Sequence, residues 1–130
     1  MFSLKGMTAA ITGGTSGIGE AVAARFVAAG ARVVIIGRRD GAEVARKVGA
    51  VAAVRADCSQ EREIARALQE VRDLLGEDLD VLVNNAGIEN TGPLIADATG
   101  EELNRIFAIN TFAVFHGLKY GQALLKVGVS

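Results

Sequence analysis

The stretch Thr12-Gly13-Gly14-Thr15-Ser16-Gly17-Ile18-Gly19 constrains this chain more than any other. An apolar run from Met7 to Ile11 leads into it, and a small-residue helical pattern from Glu20 to Ala29 leaves it. That order is strand, glycine-rich turn, helix. Gly13 permits a sharp turn off the strand, in backbone angles that a Cβ forbids. Gly17 and Gly19 let backbone approach a bulky anion and let the helix pack close to the sheet. The first turn of a helix carries unpaired N–H groups and the positive end of a dipole, so it attracts phosphate. A dinucleotide pyrophosphate is the natural guest. The spacing is G-x-x-x-G-x-G rather than G-x-G-x-x-G, and the Lys-Ser/Thr of a P-loop is missing, which argues against a nucleoside triphosphatase. A tight βα turn that binds nothing is the plain alternative.

Around this turn, apolar runs alternate with helical patterns, which predicts an α/β fold with a parallel sheet. Strands are expected at Met7–Thr12, Arg32–Gly37, Val51–Arg55 and Leu79–Asn84. The run Val33-Val34-Ile35-Ile36 is apolar at consecutive positions, as in a strand buried on both faces. Helices are expected at Ser16–Ala29, Gly41–Val48 and from Ser59, as cap, to Leu75, with Gly30, Gly49 and Gly76 at their ends. The third helix shows an apolar stripe at Ile64, Leu68, Val71 and Leu75. A loop with Gly87, Gly92 and Pro93 follows the fourth strand. Thr99 and Glu102 form a capping box for a last helix running to about Lys126. These units match the start of a three-layer Rossmann fold, a doubly wound sheet of order 3-2-1-4 with its ligand crevice at the carboxyl ends of the strands.

Composition narrows the function classes. The 130 residues are one domain's worth, half of them hydrophobic, with a net charge of −1. No basic surface suited to nucleic acid is evident. One cysteine, Cys58, and one histidine, His116, exclude an internal disulfide and leave no credible metal cluster. No secretory signal and no apolar run long enough for a membrane helix is present. The chain reads as soluble and cytoplasmic.

Four further places carry chemistry. At the end of the second strand an acidic residue would bind the 2′-hydroxyl of NAD. Gly37-Arg38-Arg39 stands there instead, so Arg38 either meets a 2′-phosphate, favouring NADP over NAD, or is a solvated loop charge. Asp57, after the third strand, can accept from an adenine amino group and can cap the next helix with Ser59, two compatible readings. Asn84-Asn85-Ala86-Gly87 ends the fourth strand; the amides can bind the turn backbone, and Gly87 lets the chain run close beneath a ligand. Asn110 falls mid-helix on the stripe Leu103, Ile106, Phe107, Asn110, Val114, where a plain reading is a core amide bonded to a backbone carbonyl.

Together, Thr12–Gly19, Asp57 and Asn84–Gly87, in this order and spacing, resemble the short-chain dehydrogenase/reductase family of the classical type, along the whole chain. The resemblance implies a nicotinamide cofactor. Gly13, Thr15, Ser16, Gly17, Ile18 and Gly19 would hold its pyrophosphate. The Asp57 side chain and Cys58 backbone would contact adenine. Asn84, Ala86 and Gly87 would line the ribose region. Asn110, in Phe107-Ala108-Ile109-Asn110, matches the family's active-site asparagine, which holds a water in a proton relay. Arg38 falls where NADP-preferring members carry arginine, whereas Ser16 stands where some of them carry a basic residue.

The family's Y-x-x-x-K is absent: Leu124 lies four residues after Tyr120, the one tyrosine. Ser130 follows Asn110 too soon to be the family's serine, and His116 reads as an ordinary helix residue. The chain is therefore expected to be the cofactor half of an oxidoreductase acting on a carbonyl or alcohol, stopping where a fifth strand would begin near Lys126. An inactive nucleotide-binding module and a structural piece without nucleotide are the other two classes. Two further expectations concern surfaces: the fourth strand, Val81–Val83, leaves an open edge, and the helix over residues 100–126 is apolar nearly all round. The second predicts a homo-oligomer through that helix.

Overall fold

The computed structural model describes residues 2–88 and 94–127. Four parallel strands, β1 (Thr8–Thr12), β2 (Arg32–Gly37), β3 (Ala52–Arg55) and β4 (Val81–Val83), form one sheet in the order β3-β2-β1-β4. Helices α1 (Gly17–Ala28), α2 (Ala42–Val48) and α3 (Glu61–Leu75) make the crossovers. Alternation along the strands divides the interior in two. Ala9, Ile11, Val33 and Ile35 face α1 and α2, in a core with Ala23 and Ala45. Ala10, Val34 and Ile36 face the other way, onto Ile64, Leu68 and Val71 of α3. Burying each of the larger side chains contributes about 1.5–3 kcal/mol. The consecutive apolar run of β2 is thus explained: both faces of the strand are covered. The three layers and the strand order agree with the sequence expectation.

Beyond the strands the expected last helix is three pieces. The capping box at Thr99 forms as expected, with both reciprocal bonds in place. Helix α4 (Gly100–Phe107) then widens into a π-helical turn at Ala108–Phe112, and α5 (Ala113–Gly121) continues to a short 3-10 turn at Gln122–Leu124. The π-turn adds length to one turn and shifts the helical phase. Consequently the expected stripe is not the buried face: Leu103, Phe107 and Asn110 are exposed, and Ile109, Ala113, Gly117 and Gly121 are buried. Small residues won this face because α5 lies close against the strand end. A Cβ at Gly117 would collide with the Asn84 amide, and one at Gly121 with Leu82.

Two other expectations are corrected. Ser59 does not cap α3; Gln60 occupies that position, and the Ser59 hydroxyl instead donates to Asp57. The edge of β4 is not wholly open either. Leu79 N–H donates to the Leu124 carbonyl at 2.7 Å and Lys126 N–H to the Leu79 carbonyl at 2.8 Å, a single parallel bridge that covers the start of that edge. Val81, Leu82 and Val83 beyond it are half-buried. Gly92, Pro93 and Ser130 lie outside the described residues.

Candidate active site

A cleft opens at the carboxyl ends of the strands. Gly13, Thr15 and Ser16 line it from the glycine turn, Gly37, Arg38 and Arg39 from the end of β2, and Ala56, Asp57 and Cys58 from the end of β3. Ala86, Gly87 and Ile88 close it from the end of β4, with Ile109 of the π-turn opposite. Eight of the residues singled out in the sequence meet here: Gly13, Thr15, Ser16, Arg38, Asp57, Cys58, Ala86 and Gly87. Gly17, Ile18 and Gly19 form the start of α1 beside it, Ile18 largely exposed.

The glycine turn is held by its neighbour rather than by itself. Thr12 Oγ1, nearly buried at the end of β1, accepts the Asn85 N–H at 3.0 Å and the Ala86 N–H at 3.1 Å. Asn85 Nδ2 donates in turn to the Gly13 carbonyl at 3.2 Å. The β4 loop and the turn are thereby one unit. Gly13 has φ +66° in this unit, and a Cβ there would meet Ala86 Cα at 2.9 Å. Gly19 faces the Gly13 carbonyl so closely that no Cβ fits. Of the adjacent amides it is Asn85 that binds the turn backbone, whereas Asn84 points back toward Gly117 and lines a small void behind the cleft with Thr12, Cys58 and Ala113. Thr12 and Asn85 were legible as polar residues at strand ends, but their mutual bond needs the β1–β4 register to be known.

Asp57 resolves one of the open alternatives. Its Oδ1 accepts the Ser59 N–H at 2.9 Å and the Ser59 hydroxyl at 2.7 Å, closing an Asx turn rather than capping α3. These bonds, outweighing partial desolvation and helped by the charges of Arg38 and Arg105, hold its carboxyl below the ordinary aspartate value. The aspartate is therefore anionic at neutral pH, and its Oδ2 has no partner among the described residues. Cys58 beside it is the opposite case. Burial, reinforced by the charges of Asp57 and Glu63, pushes its thiol up to about 11, so it stays protonated and is no nucleophile.

Asn110 sits on the π-turn, exposed rather than in the core. Its Nδ2 donates to the Ile88 carbonyl at 2.6 Å, and its Oδ1 accepts the Ile88 N–H at 2.7 Å. Both backbone groups of Ile88 are thus satisfied by one side chain, which ties Ile88 to the π-turn beside the cleft. Tyr120 lies away from the cleft and donates to Glu61 Oε1 at 2.7 Å; Lys119 Nζ shares that oxygen at 3.1 Å. Both bonds lower the Glu61 carboxyl and dock α5 on the start of α3.

This chain is similar to known proteins over nearly its whole length. A family model described as short chain dehydrogenase matches residues 7–127. The NADP-dependent (R)-specific alcohol dehydrogenase of Lentilactobacillus kefiri is 36% identical over 128 residues, 95% of this chain and 50% of that protein. Among solved structures, a 3-ketoacyl-(acyl-carrier-protein) reductase from Brucella melitensis complexed with NADH superposes with a TM-score of 0.82 at 41% identity, covering 90% of this chain and 49% of that one. The RhlG/NADP active-site complex of Pseudomonas aeruginosa superposes with a TM-score of 0.90 at 34% identity, covering 99% and 52%. The chain spans about half the length of these proteins. With the strand order, the glycine turn locked to the β4 loop, and a matching family model over residues 7–127, this chain belongs to the short-chain dehydrogenase family.

Proposed function

We propose that the protein carrying this chain transfers hydride between NADP(H) and a carbonyl or alcohol substrate, and that residues 1–130 supply its cofactor-binding domain. The observation that carries this reading is the cleft itself, which gathers the glycine turn, Arg38, Asp57 and the Ala86–Gly87 backbone at the strand ends. The residues present fit a dinucleotide. The turn keeps side chains out where a pyrophosphate approaches the helix start, because Cβ atoms are excluded at Gly13 and Gly19. Ser16, Gly17 and Ile18 offer main-chain N–H groups at that start. The carboxylate of Asp57 has a free oxygen for the adenine amino group, and the Cys58 backbone follows it. Ala86 and Gly87 shape the floor beneath the riboses, and Asn84 supports that floor from behind.

The nicotinamide supplies the two-electron chemistry when bound. This chain's residues orient it, exclude water and, through Asn110, help to place a proton-relay water. Because Ile88 occupies one donor and one acceptor of the Asn110 amide, that water falls to the remaining groups of Asn110, its main-chain carbonyl included. Arg38, at the end of β2, favours a 2′-phosphate over a bare hydroxyl, so NADP is preferred to NAD. A small-molecule substrate suits this chemistry, and we place the protein in the cytoplasm. Among the described residues no helix is long and apolar enough to cross a membrane. The exposed side chains of Phe107, Phe112, Phe115 and Leu118 support a homo-oligomer through the 100–126 helix.

Replacing Arg38 by Ala tests the preference. Charge-assisted hydrogen bonds to the extra phosphate are worth roughly 1.5–3 kcal/mol each, so NADP binding should fall far more than NAD binding. An equal loss for the two cofactors in a calorimetric titration would show that Arg38 only solvates its loop.

A further inference from the structure

The loop that carries Arg38 has little to hold it. The last ladder bond between β2 and β3 runs from the Ala56 N–H to the Gly37 carbonyl at 2.8 Å. Beyond it, residues 38–40 cross to the start of α2 without regular structure. Asp40 Oδ1 accepts the Ala42 N–H at 3.0 Å and secures the far end. Between these two points, one tether among the described residues reaches the main chain of the loop: Arg55 Nε donates to the Arg38 carbonyl at 3.0 Å. Register places Arg55 for this, since it is the last residue of β3 and pairs with Gly37. Its own carbonyl accepts Arg66 Nη2 at 2.8 Å, and Arg66 in turn pairs with Glu70 at 3.1 Å, so the donor stands on a fixed strand end. The root of the loop is pressed against the glycine turn, because a Cβ on Gly37 would strike the Thr15 hydroxyl.

We propose that Arg55 is a positioning residue for cofactor selection: by holding the Arg38 carbonyl it sets where the Arg38 side chain leaves the loop and enters the cleft. This rests on the proposed cofactor reading and adds the residue that aims its phosphate-binding arginine. Arg38 and Arg39 line the cleft, whereas Arg55 reaches it only through Arg38. These three arginines form no ion pair among the described residues, so uncompensated positive charge collects at the ends of β2 and β3. Like charges repel, and an untethered loop would relieve the repulsion by swinging Arg38 out into solvent. The Arg55 bond opposes that swing at a main-chain atom and leaves the Arg38 side chain free for a ligand. An adenosine without a 2′-phosphate makes no use of that side chain, so the bond matters to the phosphorylated form alone.

Fragments of the cofactor isolate this end of the cleft from the chemistry. Adenosine 2′,5′-bisphosphate and adenosine 5′-monophosphate are titrated calorimetrically into the full natural protein. Wild type, Arg55→Ala, Arg38→Ala and the double variant are compared. Circular dichroism checks that each is folded, and Arg55→Gln serves if Arg55→Ala is not. Arg55→Ala should weaken the bisphosphate about two- to fivefold, the range expected of one exposed hydrogen bond, and leave the monophosphate within about 1.5-fold. The double variant is the decisive comparison. Arg38→Ala keeps the main-chain carbonyl that Arg55 holds and removes the side chain it aims, so adding Arg55→Ala should cost less than about 1.5-fold further. A loss of full size in the Arg38→Ala background would show that Arg55 acts by its own charge, and overturns the proposal. Unchanged bisphosphate affinity in folded Arg55 variants overturns it too, and so does an equal loss for both fragments. Wild type that binds neither fragment, or binds both alike, overturns the cofactor reading itself, which keeps the two failures apart.

Discussion

Gly19 shows at the scale of one residue how the site is built. Its α-carbon lies against the Gly13 carbonyl and the Asn85 amide, with no room for a methyl group. Gly19→Ala should therefore push α1 away from the turn and break the Asn85–Gly13 bond. Overpacking of this kind costs about 1–3 kcal/mol, and dinucleotide binding should fall with it. Thermal melts and a titration with NADP check both effects; a variant with wild-type melting and affinity would mean the contact yields freely. Asn110 makes a complementary case. Removing its two bonds to Ile88 in Asn110→Ala should cost at most about 0.5–1.5 kcal/mol locally, because these bonds are exposed and water takes over the freed backbone groups. Hydrogen exchange at the Ile88 amide should quicken, while amides in β1 and β2 keep their rates. The sequence marked Gly19 and Asn110 by type and spacing alone. It also foresaw an amide of the Asn84-Asn85 pair binding the turn backbone, but not the bonds that Thr12 Oγ1 accepts from Asn85 and Ala86, because a threonine at a strand end bonds whatever the neighbouring strand brings beside it, and that pairing is long-range.

Elements were read from periodicity, and where the period held the reading was right. The i, i+4 apolar stripe of α3 is its buried face, and the consecutive apolar run of β2 is buried on both sides. The last helix defeated the same logic, since a π-turn at Ala108–Phe112 breaks the period and glycine replaces the apolar residues on the packed side. Gly117→Leu tests that packing: the side chain would strike Asn84 and lift α5, with a loss of at least about 1–3 kcal/mol in a denaturant melt. A second element-scale contact joins the starts of β1 and β4. Asp80 Oδ2 accepts the Thr8 N–H at 2.8 Å and pairs with Lys126 Nζ at 3.0 Å, which together hold the Asp80 carboxyl below its ordinary 3.8. A folded-state value depressed in this way stabilises the fold fully above the unfolded value and is lost as pH falls through the folded one. The window thus lies below pH 3.8. Asp80→Asn should lower stability at neutral pH and lose less on acidification to about pH 2 than the wild type does; parallel acid limbs in the two melts would contradict this.

At the scale of the molecule, the order of the sheet and the place of the cleft follow from the chain's alternation of strand and helix, and both were legible. The surfaces were legible only in outline. Phe107, Phe112, Phe115 and Leu118 keep about half or more of their area exposed along one helix, an apolar face of the kind that soluble monomers seldom leave uncovered. Phe115→Glu should reduce the sedimenting mass of the protein, because a carboxylate on that face opposes burial against a partner. Unchanged mass would place any contact elsewhere. The central claim is the cleft, and amide exchange with and without NADP addresses it most directly. The account predicts slowed exchange on adding NADP at residues 13–19, at Asp57 and Cys58, and from Ala86 to Ile88, with the amides of α3 unaffected. Saturating NADP that leaves these three segments exchanging at their free rates would contradict it.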